Sequence, residues 1–201
     1  MAYQRILTIQ DISCVGQCSL TVALPILSAC GHETAALPTA VLSTHTGRFQ
    51  GYTFRDLTDD IPGICAHWER EGLDFSAVYT GYLASARQIA LVRDVIRSRL
   101  RPDGVLIVDP AMADDGRLYS GFGTDVVDAM RTLCAEADYI LPNVTEAALL
   151  AGMDYREKLD LAYAEQLAAG AAASERQTVI LTGVGLEPGK TGFLLWNNGK
   201  S

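Results

Sequence analysis

Asp109 closes the most apolar short run of the sequence, residues 105–108, and Asp114 and Asp115 follow in the next loop. Glu146 stands three positions after Asn143, where a helical pattern begins. Carboxylates converging at one edge of a sheet suit a magnesium ion, which takes one or two of them and completes its shell with water and substrate phosphates. Each residue also has a plainer reading. Asp109 can do no more than stop a strand, and Glu146 can reach back to a capping Asn143. Taken together, the carboxylates favour a magnesium–nucleotide site.

Other apolar runs also end in polar residues: Asp11, the triplet Thr80, Gly81 and Tyr82, the pair Pro142 and Asn143, and the pair Thr182 and Gly183. In open α/β sheets ligands bind beyond the carboxyl ends of the strands, so these positions are candidates for ligand contact. Residues 43–47 form a hydroxyl-rich loop containing Ser43, Thr44, His45 and Thr46. A lone histidine such as His45 is more often a hydrogen-bonding structural residue than a catalyst.

Three rival chemistries fail on spacing. Gly185, Gly189, Lys190 and Thr191 resemble a phosphate-binding loop, but the spacing is one residue short and a β-rich run follows where a helix is required. Cys14 and Cys18 have no second pair and no matching histidines, which excludes a zinc site of the usual kind. No serine elbow with a histidine and an acid is present.

The elements that must position these residues alternate between short β-rich runs and longer helical ones. Strands are predicted at 5–10, 34–37, 40–43, 77–80, 105–108, 139–141, 179–182 and 191–196. Helices are predicted from Ser19 to about Cys30, over 56–70, after Ser85, over 125–137, after Asn143, and over the alanine-rich stretch 159–173. Ser19, Ser85 and Asn143 carry side-chain oxygens suited to capping a first turn, and Gly31 suits a helix end. Pro25 should kink or delay the first helix, and Pro62 with Gly63 could split the second. Pro188 and Gly189 read as a turn. The alternation specifies an α/β fold: one three-layer α/β/α domain over residues 1–201, with a mostly parallel central sheet.

Composition narrows the function classes. A net charge of −8 argues against nucleic acid as a partner, since such proteins present a basic face. No apolar stretch is long enough to span a bilayer, and residues 1–10 lack the apolar region and cleavage site of a signal peptide. The 5 cysteines sit mostly in apolar runs and read as buried, reduced thiols, which implies a cytoplasmic location. Asn198 and Gly199 form a strong hairpin signal, yet only Lys200 and Ser201 follow. A partner strand for 191–196 is then missing, so the expectation is that the chain continues beyond Ser201. The alternative is that 191–196 pairs elsewhere.

Several motifs fall in a familiar order. They are Ile9 and Gln10 with the loop after them, Ser43 through Gly47, Thr80 through Tyr82, Val108 through Pro110, Pro142 and Asn143 with Glu146, and Leu181 through Gly183. In order and spacing, over essentially the whole chain, they resemble the pyridoxal kinases of the ribokinase-like superfamily. The resemblance implies a ribokinase-like fold, truncated at its C-terminus. It also implies ATP-dependent phosphorylation of the 5′-hydroxymethyl group of pyridoxal, pyridoxine or pyridoxamine, in vitamin B6 salvage.

By the same resemblance, Thr46 would hydrogen-bond the pyridine substrate and Tyr82 would pack on it, with His45 and Asp11 in the same substrate site. The family commonly has serine where this chain has Asp11. Asp109, Asn143 and Glu146 would organise magnesium and the nucleotide phosphates, Asp114 would lie near the metal, and Thr182 and Gly183 would line the nucleotide site. ATP and Mg2+ are the implied cofactors and a homodimer the implied assembly. The family's catalytic aspartate belongs to a Gly-x-Gly-Asp motif. No stretch of this chain matches it: Gly121, Gly123 and Asp125 are a near miss in the wrong place, and the nearer Gly183 and Gly185 lack the aspartate. That aspartate is expected beyond Ser201, and the 201-residue chain is expected to have little or no kinase activity. A hydroxymethylpyrimidine kinase and a non-catalytic binder of pyridoxal or its phosphate are the alternatives.

Overall fold

The computed structural model describes residues 4–47, 49–187 and 189–201. The chain divides into two compact units, Met1–Leu106 and Ile107–Ser201.

The first unit contains β1 (Arg5–Ser13), α1 (Leu20–Ala29), β2 (Glu33–Leu42), β3 (Phe54–Asp56), a 3₁₀ turn at Thr58–Asp60, α2 (Ile61–Arg70), β4 (Phe75–Thr80) and α3 (Ala86–Arg99). β5 (Leu100–Val108) begins in this unit and ends past the division. β1 lies between β2 and β4 and runs parallel to both, while β3 pairs antiparallel with β2. Leu7, Thr8, Ile9, Gln10 and Asp11 of β1 are all buried, as expected of a parallel strand covered on both faces. Leu37, Val78, Ile89 and Val92 belong to the apolar core of this unit.

The second unit contains a short hairpin of β6 (Ala113–Asp114) and β7 (Arg117–Leu118), then α4 (Thr124–Ala135), β8 (Tyr139–Ile140), α5 (Val144–Ala151), α6 (Leu161–Ala171), β9 (Thr178–Val184) and β10 (Gly192–Trp196). β8 runs parallel both to the end of β5 and to β9, and β10 pairs antiparallel with β9. Met130, Leu133, Ile140, Leu167, Val179 and Leu181 are fully enclosed. In both units the strands are mostly parallel and helices flank them, which is the α/β fold that the alternation of elements predicts.

The structure departs from the sequence expectations in specific places. The two strands predicted at 34–37 and 40–43 are one, because Pro38 falls where the β1–β2 register shifts and the ladder bond it cannot donate is already disrupted. Pro25 does not break α1: it is exposed, and so is Thr21, the residue whose carbonyl loses its helical partner to water. Pro62 starts α2 instead of splitting it, since the first turn of a helix has no use for that N–H. Ser19 precedes α1 but makes no capping bond. The polar loop expected from Asp11 begins only after Ser13. Val105, expected to be covered on both faces, is 36% exposed.

The strand at 191–196 does find a partner, in β9. Asn198 and Gly199, with φ of 51° and 72°, make the predicted tight turn and bring Lys200 against Asn197. Of the turn expected at Pro188 and Gly189, Pro188 lies outside the described residues; Gly189 has φ of 73°. All five cysteines are free, but only Cys134 is buried, and Cys14 and Cys30 are exposed. Among the described residues no helix is long and apolar enough to cross a membrane.

Two buried glutamines, Gln88 in the first unit and Gln177 in the second, tie segments together, and neither role is legible from the sequence. Gln88 of α3, with 0% exposure, donates to the Thr39 carbonyl at 3.0 Å and to the Thr58 hydroxyl at 2.9 Å, and accepts from the Ala84 amide at 2.7 Å. Gln177 donates to the carbonyls of Cys134 and Ala137 at 2.6 and 2.7 Å and accepts from the Ala173 amide at 2.9 Å.

Candidate functional site

The predicted residues divide between the two units. In the second unit the centre is the start of α5. Asn143 Oδ1 accepts the Glu146 amide at 2.9 Å, and Glu146 Oε2 accepts the Asn143 amide at 2.8 Å, a reciprocal capping box. Both side chains also reach outside the helix. Asn143 Nδ2 donates to the Ala113 carbonyl at 2.7 Å, and Glu146 Oε1 accepts the Met112 amide at 3.2 Å. These bonds fasten the segment following β5 to the helix. The box leaves the amides of Val144 and Thr145, the first two of the helix, without an intrahelical partner.

A pocket of about 180 Å³ opens at this helix start and is lined by Asp114, Asn143, Thr145, Tyr155, Arg156 and Gly183, among others. Three of the predicted residues therefore line one cavity: Asp114, Asn143 and Gly183. Thr182 is not among the lining residues. Its amide and hydroxyl both donate to the Pro142 carbonyl, at 2.8 and 3.2 Å, so it holds the turn before Asn143. Tyr155 and Arg156 went unread in the sequence because they reach the pocket from outside any strand-end motif, and Thr145 because it is an unspecified position between Asn143 and Glu146.

Asp109 and Glu146 form an electrostatic pair. Burial and then the neighbouring Asp109 push the Glu146 carboxyl up to about 8, against the lowering effect of the backbone amides it accepts. Burial alone pushes Asp109 up to about 7, and among the described residues its side chain has no hydrogen-bond or ion-pair partner. Burial, Glu146 and Asp109 together also raise the thiol of Cys134. A cation placed between two such carboxyls would favour their ionised forms. Among the described residues no three His, Cys, Asp or Glu side chains gather as metal ligands, so Asp109, Asp114 and Glu146 are not brought together as a three-ligand set. Two carboxylates suffice for an ion that keeps water and phosphate in its shell, and Asp109 with Glu146 fits that requirement.

In the first unit, Asp11 and Tyr82 stand at the ends of β1 and β4, two adjacent parallel strands. Asp11 is 4% exposed and its Oδ2 accepts the Ser13 hydroxyl at 3.0 Å. The Tyr82 phenol is pushed up to about 12, first by burial and then by Asp11, Tyr52 and Asp56. Its backbone carbonyl accepts the Thr39 hydroxyl at 3.0 Å, and Thr39 is in turn tied to Gln88. Thr46 is exposed and carries its hydroxyl on the loop after β2. His45 plays a structural part there, since its Nδ1 accepts the Gly47 amide at 3.1 Å and its ring meets Phe49 edge-on at 5.3 Å.

The chain is similar to known proteins over most of its length. The family described as phosphomethylpyrimidine kinase matches residues 27–200. A Bacteroides thetaiotaomicron protein assigned to phosphomethylpyrimidine kinases and crystallised with pyridoxal is 39% identical, with a TM-score of 0.90 over 98% of this chain and 69% of that one. Pyridoxal kinase from Lactobacillus plantarum is 35% identical, with a TM-score of 0.88 over 100% of this chain and 70% of that one. Pyridoxal kinase from Leishmania donovani, in complex with ADP and pyridoxine, is 28% identical, with a TM-score of 0.78 over 95% of this chain and 66% of that one. The chain spans about half the length of the curated relatives it matches, among them the pyridoxal kinases of Arabidopsis thaliana and Dictyostelium discoideum, 28% and 26% identical. On the extent of these matches, the chain belongs to the phosphomethylpyrimidine kinase family.

Proposed function

We propose that the protein transfers the γ-phosphoryl group of ATP to the 5′-hydroxymethyl group of pyridoxal, pyridoxine or pyridoxamine. The observation that carries this reading is the polar pocket lined by Asn143, one member of the Asn143–Glu146 box, in a chain similar to proteins crystallised with pyridoxal and with ADP and pyridoxine. Phosphoryl transfer depends mainly on positioning and on charge stabilisation. The amides of Val144 and Thr145 and the Asn143 side chain offer the phosphates donors at a helix start, where the backbone dipole favours anions. Asp109 and Glu146 would hold a magnesium ion, with Asp114 near it, and the ion would neutralise phosphate charge. Glu146 and Thr182 act through the backbone, keeping the helix start and its preceding turn in place.

On the acceptor side, Tyr82 supplies an aromatic face, Thr46 a free hydroxyl and Asp11 a carboxylate, while His45 shapes the loop that carries Thr46. The reading treats residues 1–201 as one kinase domain and carries with it a homodimeric, cytoplasmic protein using ATP and Mg2+. The family's name favours a second reading, a hydroxymethylpyrimidine kinase. One assay separates them. The protein as its organism makes it is given magnesium, ATP and each acceptor in turn: the three vitamers and the aminopyrimidine alcohol. Faster transfer to a vitamer is the expected result, and faster transfer to the pyrimidine would overturn the reading. Stoichiometric vitamer binding without any transfer would identify a binder instead. Sedimentation velocity tests the dimer.

A further inference from the structure

Arg156 is the one basic residue among the described residues that line the pocket at the start of α5, where Asp114, Asp115 and Glu157 also stand. None of those acids pairs with it. Among the described residues its guanidinium has no hydrogen bond and no ion pair, and it lies instead over an aromatic ring, with Cζ 4.0 Å from the centroid of Tyr163. That ring is a fixed platform. Tyr163 is 3% exposed, its amide donates to Asp160 Oδ1 at 2.7 Å, and its hydroxyl donates to the Asp154 carbonyl.

Stacking occupies the flat face of a guanidinium and leaves its five N–H donors, which lie in the plane, to another partner. An exposed arginine is content in water, so the lack of a partner alone would mean little. What gives it meaning is the place: a pre-oriented fork of charged donors at a pocket that Asn143, Thr145 and Gly183 also line. Such a fork matches phosphate oxygens. Three carboxylates beside the same pocket would repel a polyphosphate, so the fixed cation among them bears directly on whether such a ligand is admitted.

We infer that Arg156 is a specificity-determining residue for the phosphoryl donor, binding the phosphate chain of the nucleotide directly. This rests on the proposed function, and adds to the nucleotide end of that site a contact from the segment between α5 and α6.

The test is calorimetric binding of ATP, ADP, AMP and adenosine, each with magnesium chloride, to the protein as its organism makes it and to its Arg156→Ala and Arg156→Lys variants. Arg156→Ala should lose about tenfold in affinity for ATP and leave adenosine unchanged. Arg156→Lys keeps the charge but not the planar fork, and should recover part of that loss. A loss already complete with AMP assigns the contact to the α-phosphate, and one that first shows with ADP or ATP assigns it further along the chain. Unchanged ATP affinity in Arg156→Ala, or an equal loss for adenosine, overturns the inference while leaving the kinase reading intact. A wild-type protein that binds no nucleotide overturns both. Matching melting temperatures for wild type and Arg156→Ala exclude unfolding as the cause.

Discussion

Asn143 and Glu146 each accept the other's backbone amide, at 2.9 and 2.8 Å, and each also binds the backbone of the segment after β5, at Ala113 and Met112. The plain structural reading of Glu146, as half of a capping box, is thus correct. A residue that caps a helix is also the residue that holds the candidate cation site in shape. Replacement of Asn143 by alanine removes a cap and leaves the Ala113 carbonyl without its donor. A destabilisation of about 1–3 kcal/mol in urea unfolding is expected. Asn143→Asp, which keeps the cap but not the donor, should lose less.

The carboxyl pair makes stability depend on pH with a definite sign. In the unfolded chain both groups titrate near the ordinary carboxylate range, about 4. In the folded chain Asp109 is pushed up to about 7 and Glu146 to about 8. Between those limits the folded protein keeps protons that the unfolded chain has released, so their contribution to stability is greatest in acid and is lost as the pH rises. Asp109→Asn should therefore melt with the wild type in acid and above it in alkali. Added magnesium should raise the alkaline melting temperature of the wild type and not that of the variant. Melting curves that stay parallel across the range would mean that the charge on Asp109 carries no penalty.

Gln88 supports the loop that carries Tyr82, through its bonds to Ala84 and Thr39. Leucine fits the volume but satisfies neither, and each orphaned buried group costs about 1–3 kcal/mol. Gln88→Leu should destabilise the protein by about 2–4 kcal/mol in a urea titration. It should also weaken acceptor binding more than nucleotide binding, because the loop lies in the first unit.

Gly16 gives the His45 loop its room. A methyl group there would lie 1.9 Å from His45 Cδ2, and the backbone φ of 118° disfavours any other residue. Gly16→Ala should displace the imidazole, seen as a changed His45 signal in NMR, at a cost of about 1–3 kcal/mol. An unmoved His45 resonance would show that the loop adapts without it.

The sequence alone determined the alternation of strands and helices, the caps at Ser85 and Asn143, the tight turn at Asn198 and Gly199, and the strand-end positions of Asp109 and Tyr82. These are local matters: periodicity, side-chain oxygens placed before a helix, and positive φ leave their marks within a few residues. Tertiary structure decided the rest. Whether Pro38 interrupts a strand depends on a register shift against β1, and whether Val105 is covered depends on what packs over it. The bonds of Gln88 and Gln177, the inward turn of Thr182 and the arrival of Arg156 and Tyr155 at the pocket link residues far apart in the chain. The raised ionisation of Asp109 and Glu146 is likewise a property of burial and proximity, neither of which any single residue type encodes.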